Sequence, residues 1–196
     1  RITAKARDRE EAEGLIAPLE RQIRERLGEN VYGIDDDTIE DVVAEMLIKK
    51  GMTISTAESC TGGLLAAALI NHPGISSSFI EGAITYSNEA KMKRLGVKKE
   101  TLDSFGAVSS RTAYEMADGI ARSAGTDIGI SVTGIAGPDG GTPEKPVGLV
   151  YVGLYIRGSV STIKLNLVGD RGHIRRLTVL RTLDELRRRL MKLRDA

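Results

Sequence analysis

The stretch Met52-Thr53-Ile54-Ser55-Thr56-Ala57, then Glu58-Ser59-Cys60-Thr61-Gly62-Gly63, then Leu64-Leu65-Ala66-Ala67-Ala68-Leu69-Ile70-Asn71, decides how the chain folds. Residues Met52–Ala57 read as a strand, and Ser59–Asn71 as a helix rich in Leu and Ala. The same succession recurs downstream. Ser78–Ser87 reads as a strand and Asn88–Leu95 as a short helix stopped by Gly96. A helix over Ser109–Ala124, capped by Ser109 or Ser110, leads into an apolar strand at Asp127–Thr133. Val147–Arg157 and Ser159–Val168 alternate in polarity, with Gly158-Ser159 as a two-residue hairpin turn. A helix over 171–194, with a ridge of Leu177, Leu180, Leu183, Leu186 and Leu190, closes the chain. Strands alternating with helices predict a layered α/β domain whose sheet is partly parallel, with antiparallel strands added by the hairpin.

Upstream, a helix is expected over 38–50, with Asp37 as its N-cap and Val42, Val43, Met46 and Leu47 on its apolar face. Residues 1–7 alternate like a short strand, and 9–28 like a charged amphipathic helix kinked at Pro18. Glu29–Asp37 reads as a linker. One strand and one helix cannot bury a core, and the chain opens on Arg1. Residues 1–36 are therefore expected to be the strand–helix remnant of an upstream domain plus linker, with 37–196 as the main domain.

Composition narrows the function classes. Lys and Arg number 28 against 27 Asp and Glu, a net charge of +1, which gives no electrostatic ground for bulk nucleic-acid or membrane binding. Aromatic residues make up 4% and Trp is absent, so stacking platforms for single strands are poorly supplied. A single cysteine makes no internal disulfide, as expected in a reducing cytoplasm, and no apolar run approaches the roughly 20 residues that span a bilayer. A cytoplasmic location follows as the expectation. The exposed apolar side chains of 1–36 make a homodimer the expected assembly.

Three loops rich in Gly, Ser and Thr follow strands, where ligands bind in open α/β sheets. In the first, Ser59 at a helix start is explained equally by capping or by nucleophilic chemistry, with N–H groups of the turn stabilising an oxyanion. The same turn could cradle a phosphate. Cys60 is a rival nucleophile, but Cys–His catalysis needs a histidine and only His72 and His173 exist. His72, in Asn71-His72-Pro73-Gly74, reads as a solvated turn residue, and His173 as a surface residue. A Ser-His-Asp triad and a zinc site fail on the same shortage. A lysine held neutral by burial can activate a serine instead. The second loop, Tyr86-Ser87-Asn88-Glu89-Ala90-Lys91, places Tyr86 and Lys91 near the same sheet end, although an ordinary solvated lysine fits this segment as well. The third loop, Thr133–Gly148, holds five Gly and three Pro in sixteen residues, a shaped loop rather than a linker. Finally, Arg171 and Arg175 open the last helix and could clamp a phosphate or carboxylate, whereas Arg187-Arg188-Arg189 reads as a solvated basic face.

Together these stretches resemble the CinA C-terminal domain family, whose studied members are nicotinamide-nucleotide amidases. The resemblance rests on Ala57–Gly63, on Tyr86-Ser87-Asn88 with Lys91, and on Leu95-Gly96-Val97. It continues through Gly106-Ala107-Val108-Ser109, Ile130–Pro138, Lys145-Pro146-Val147-Gly148 and Gly169-Asp170-Arg171, covering roughly residues 38–190 in order. It implies a three-layer α/β/α sandwich and hydrolysis of the carboxamide of nicotinamide mononucleotide to nicotinate mononucleotide and ammonia. It further implies a serine–lysine arrangement of Ser59 and Lys91, with Tyr86 relaying or positioning the proton. Oxyanion and substrate contacts would then come from Thr61, Gly62, Gly63, Thr133 and Gly134, and the 5′-phosphate would bind to Arg171 or Arg175. No metal or organic cofactor is implied. The alternative is a non-catalytic nucleotide-binding module of a competence or DNA-damage response.

Overall fold

The computed structural model describes residues 2–193, which divide into two compact units, one up to Asp37 and one from Thr38 onward. In the first, helix α1 (Arg9–Leu27) is capped by Asp8, whose carboxylate accepts from Glu11 N, and carries Pro18 in its interior. It buries none of its side chains, and Leu15, Leu19 and Leu27 stand exposed. The strand expected over 1–7 does not form among the described residues 2–7. A strand exists only against a partner, and no other strand lies among the described residues of this unit.

The second unit holds a five-stranded sheet in the order β2-β1-β3-β4-β5. Strands β1 (Ile54–Glu58), β2 (Phe79–Ile84) and β3 (Ile128–Gly134) are mutually parallel. Strands β4 (Leu149–Ile156) and β5 (Ser159–Asn166) add an antiparallel hairpin beside β3. Its turn is Arg157-Gly158, both at positive φ (44° and 92°), rather than the expected Gly158-Ser159.

Period-two alternation sorts each strand between two layers of helix. Ile54, Ile128, Ile130, Val132, Val152 and Leu154 face helices α2 (Ile39–Lys50), α3 (Leu64–Ile70) and α7 (Arg171–Lys192). Ala57, on the other face of β1, meets Met116 and Ile120 of α6 (Ser110–Ala124), behind which lie α4 (Asn88–Leu95) and α5 (Lys99–Phe105). The result is a three-layer α/β/α sandwich with a mixed, partly parallel sheet.

Four local expectations are corrected. Helix α2 is capped by Thr38, whose Oγ1 accepts from Asp41 N, while Asp37 accepts from Ile34 N. Helix α3 starts at Leu64, not Ser59, because Gly62 and Gly63 take left-handed φ of 60° and 96°, which breaks the helical path. Leu180 points to solvent, and the inward ridge of α7 runs through Ile174, Val179, Leu183, Leu186 and Leu190. Arg187 is buried and pairs with Asp184 at 2.7 Å, so it does not belong to a solvated face. The expected end of this helix at residue 194 lies outside the described residues.

Layer α6 sits unusually close to the sheet. Its Ala113, Ala117 and Ala121 are spaced one turn apart, and the strand positions beneath them are Gly129, Ser131 and Gly153. A Cβ at Gly129 would lie 2.5 Å from the Ala117 carbonyl oxygen, and one at Gly153 would overlap the Ala113 carbonyl oxygen. Ser131 turns this proximity to use, its Oγ donating to Ala113 O at 2.6 Å. Gly153→Ala is therefore expected to destabilise the domain by about 1–3 kcal/mol. At about 2–4 °C per kcal/mol, a thermal melt should drop by roughly 2–12 °C. An unchanged midpoint would contradict this packing.

Candidate active site

In the order β2-β1-β3 the chain leaves β1 for one side of the sheet and later returns to the other. The crevice at the carboxyl ends of these strands is where open α/β sheets bind ligands. Ser59 lies one residue beyond β1, its N–H extending the ladder to Val132 O at 2.9 Å. The alternation that turns Ala57 toward α6 turns Ser59 the same way, onto the layer that carries α4.

Lys91 is in that layer, only 1% exposed. Ser87 caps α4, placing Lys91 in the first turn with its side chain aimed inward. Its Nζ lies 2.9 Å from Thr85 O, 3.1 Å from Tyr86 O and 3.2 Å from Ser59 Oγ. Burial lowers the pKa of this ammonium below its ordinary value of 10.5. The dipole of α4 acts in the same direction, because a cation in the first turn is disfavoured. The three contacts also suit a neutral amine. Two carbonyls can only accept and take both N–H groups, so the lone pair is left for the one partner able to donate, the Ser59 hydroxyl.

The turn that follows Ser59 is held from two sides. Glu58 points opposite to Ser59, and its carboxylate accepts from Gly63 N (3.0 Å), Leu65 N (3.1 Å) and Ala66 N (2.8 Å). Arg175, from α7, donates to Cys60 O at 3.1 Å and Thr61 O at 2.6 Å. Gly62 N bonds Ser59 O at 3.1 Å. The Gly62 and Gly63 N–H groups expected to face an oxyanion are thus already engaged. Arg175, one of two candidate phosphate ligands, is engaged as well. Within the turn, neither Cys60 N nor Thr61 N bonds another described residue, and Cys60 N–H faces its own thiol.

Ser59, Lys91, Tyr86, Thr133, Gly134 and Arg171 all line one cleft of about 260 Å³. Its far wall is the loop from Ile135 onward, closed at its neck by Ile135 N to Leu149 O (2.9 Å) and Gly148 N to Ile135 O (2.8 Å). Arg171 donates to Gly137 O of this loop at 2.9 Å and lies 3.5 Å from the Tyr86 hydroxyl. Lys145 donates to Phe105 O at 2.6 Å. Thr133 Oγ1 donates to Ala107 O at 2.7 Å, which joins the loop wall to the Gly106–Ser109 segment. Tyr86 is 63% exposed; it meets Lys91 through its backbone carbonyl, and its phenol stands at the rim beside Arg171. A phenol-to-lysine relay, as expected from the sequence, has no direct contact here. Sequence reasoning assigned no role to Glu58 or to Asp139, which also lines the cleft. The signal for Glu58 was a carboxylate five residues ahead of a Gly-started helix.

Neither histidine lines the cleft. His72 Nδ1 sits 2.8 Å from Asp41 Oδ1, so it is a paired residue rather than a solvated one. No group of three or more His, Cys, Asp or Glu among the described residues is placed to hold a metal. No helix among them is long and apolar enough to cross a membrane. Burial pushes the Cys60 thiol up to about 11. At pH 8 its thiolate fraction is then on the order of 10⁻³, so iodoacetamide should alkylate folded Cys60 roughly 10²-fold more slowly than the unfolded chain. Equal rates would return Cys60 to the list of nucleophiles.

Comparison with known proteins agrees with this fold. The family model of the CinA C-terminal domain matches residues 36–190, and that of the damage-inducible protein CinA KH domain matches residues 1–33. A competence-damage inducible protein of Clostridium acetobutylicum is 65% identical over 193 residues, which is 98% of this chain and 47% of that protein. A CinA-like protein of Kosmotoga olearia is 62% identical over the same shares. The chain thus spans about half the length of these curated relatives. The crystal structure of a CinA superfamily protein from Klebsiella pneumoniae superposes with a TM-score of 0.77 at 37% identity, covering 79% of this chain and 97% of that one. The competence/damage-inducible protein CihA from Agrobacterium tumefaciens gives 0.74 at 40% identity, covering 82% and 100%. With a family model matched over most of its length and relatives above 60% identity, the chain belongs to the CinA family.

Proposed function

We propose that this chain hydrolyses the carboxamide of nicotinamide mononucleotide, releasing ammonia and nicotinate mononucleotide by a serine–lysine mechanism. The observation that carries the proposal is the buried Lys91 Nζ, 3.2 Å from Ser59 Oγ with two carbonyls as its other partners. Ser59 Oγ attacks the amide carbon and its proton passes to Lys91. The tetrahedral oxyanion is met by the Cys60 and Thr61 N–H groups, the donors of the turn that no other residue holds. Lys91 returns the proton to the departing amine, which leaves as ammonia. Water, deprotonated by Lys91, then cleaves the acyl-serine.

Substrate orientation follows from charge. We assign the 5′-phosphate to Arg171, which lines the cleft beside the Tyr86 phenol, whereas Arg175 does not line it and holds the turn. A cleft of about 260 Å³ lies at the small end of ligand sites, which favours a mononucleotide over a dinucleotide. The alternative, a regulatory module that cradles phosphate at the Gly62-Gly63 turn, loses support because the Glu58 carboxylate already occupies the N–H groups from Gly63 onward.

Ammonia release from nicotinamide mononucleotide tests the proposal. Ser59→Ala and Lys91→Met are each expected to lower kcat by at least about 10²–10⁴-fold, the range for a lost general base, with the serine at the upper end. Equal turnover by wild type and Ser59→Ala would remove the nucleophile; no turnover with tight nucleotide binding would favour the regulatory alternative. Lys91 must be neutral to act, so wild-type kcat/KM should rise with pH and level off below 10.5, the ordinary lysine value. Arg171→Met is expected to raise KM by roughly 10-fold or more with kcat little changed, as for loss of a charged hydrogen bond.

A further inference from the structure

Two charged side chains hold the nucleophile turn, and neither has been given a part in the chemistry. We infer that Glu58 and Arg175 are positioning residues that set the direction of the oxyanion donors beside Ser59. This inference rests on the serine–lysine assignment above and adds what keeps that site in register.

The turn Ser59–Gly63 has no regular structure to fix it, since α3 begins only at Leu64 and two left-handed glycines precede it. Its polar groups are instead allotted by type. Glu58, 1% exposed, draws the N–H groups of Gly63, Leu65 and Ala66 to one side. Arg175 draws the carbonyls of Cys60 and Thr61 toward α7. A peptide unit is rigid, so a carbonyl pulled one way forces the N–H at the other end of the same unit the opposite way. The carbonyl of Cys60 belongs to the peptide whose N–H is that of Thr61. By anchoring Cys60 O, Arg175 therefore aims Thr61 N–H away from α7. Fit at Gly62 is close, a Cβ there falling 3.3 Å from Arg175 Nη2.

A steady-state comparison with a substrate-independent probe tests this. Arg175→Met and Glu58→Gln are expected to lower kcat about 10²-fold, the scale of a misplaced reacting group or a lost oxyanion donor, while KM for nicotinamide mononucleotide stays within about two-fold. Arg175→Lys keeps a cation but not two aligned donors, and should fall between wild type and Arg175→Met. Should Arg175→Met be unfolded at the assay temperature by thermal melt, Arg175→Lys carries the test. Labelling of Ser59 by a fluorophosphonate should slow in the same order, whatever the natural substrate. Wild-type kcat and labelling in folded Glu58→Gln and Arg175→Lys would overturn the inference, as would a raised KM with unchanged kcat in the Arg175 variants, the pattern of a phosphate ligand. If wild type releases no ammonia yet labelling slows as described, the substrate proposal falls and the positioning inference stands.

Discussion

The site depends on one buried amine. An ammonium taken out of water loses hydration that only charge or good hydrogen bonds can replace, and the hydrogen-bond partners of Lys91 are two carbonyls and a hydroxyl rather than a carboxylate. Deprotonation, which burial favours, would resolve the mismatch. The neutral form keeps both carbonyl contacts and gains an acceptor for the Ser59 proton. In the proposed mechanism, the same burial that makes the group costly is what lets it act as a base. Two unrelated strand ends must coincide for this: Ser59 follows β1, Lys91 follows β2, and the parallel pairing Glu58↔Ile84 holds those ends level.

Around that contact the fold divides labour by face. Alternation along β1 sends Ser59 toward α4 and Glu58 toward α3 and α7, so that in the proposed mechanism consecutive residues serve the chemistry and its scaffold. The close seat of α6 on Gly129 and Gly153 fixes the layer against which α4 packs. Gly119 of α6 extends this seam, since a Cβ there would overlap the Leu95 carbonyl oxygen at the end of α4. Small residues far from the cleft thus set the depth at which Lys91 is held.

The sheet class was legible because it rests on period and punctuation. Apolar strands at Ile54 and Ile128, separated by helices with Ser and Gly caps, and a loop-linked hairpin from Leu149 onward leave few other layouts. Ser59 was legible as a candidate and its rivals could be weakened by counting histidines and cysteines. What stayed hidden was long-range. Nothing local distinguishes Lys91 from Lys93 except the depth to which α4 is buried, and its assignment came from family resemblance. Arg171 and Arg175 are one helical turn apart with the same chemistry; only the fold shows one bonded to the turn and the other at the cleft rim. Glu58 was read past because a glutamate in a strand gives no hint that three N–H groups await it. Residues 2–7 misled in the opposite sense: alternation is necessary for a strand but supplies no partner.

The protonation state of Lys91 is the most direct measurement of this account. An NMR titration of the Lys91 side chain, assigned by comparison with Lys91→Met, should give a midpoint below the ordinary value of 10.5, with the Ser59 environment changing in step. A midpoint at or above that value would mean that Lys91 is a charged structural residue, and Ser59 would be left without its base.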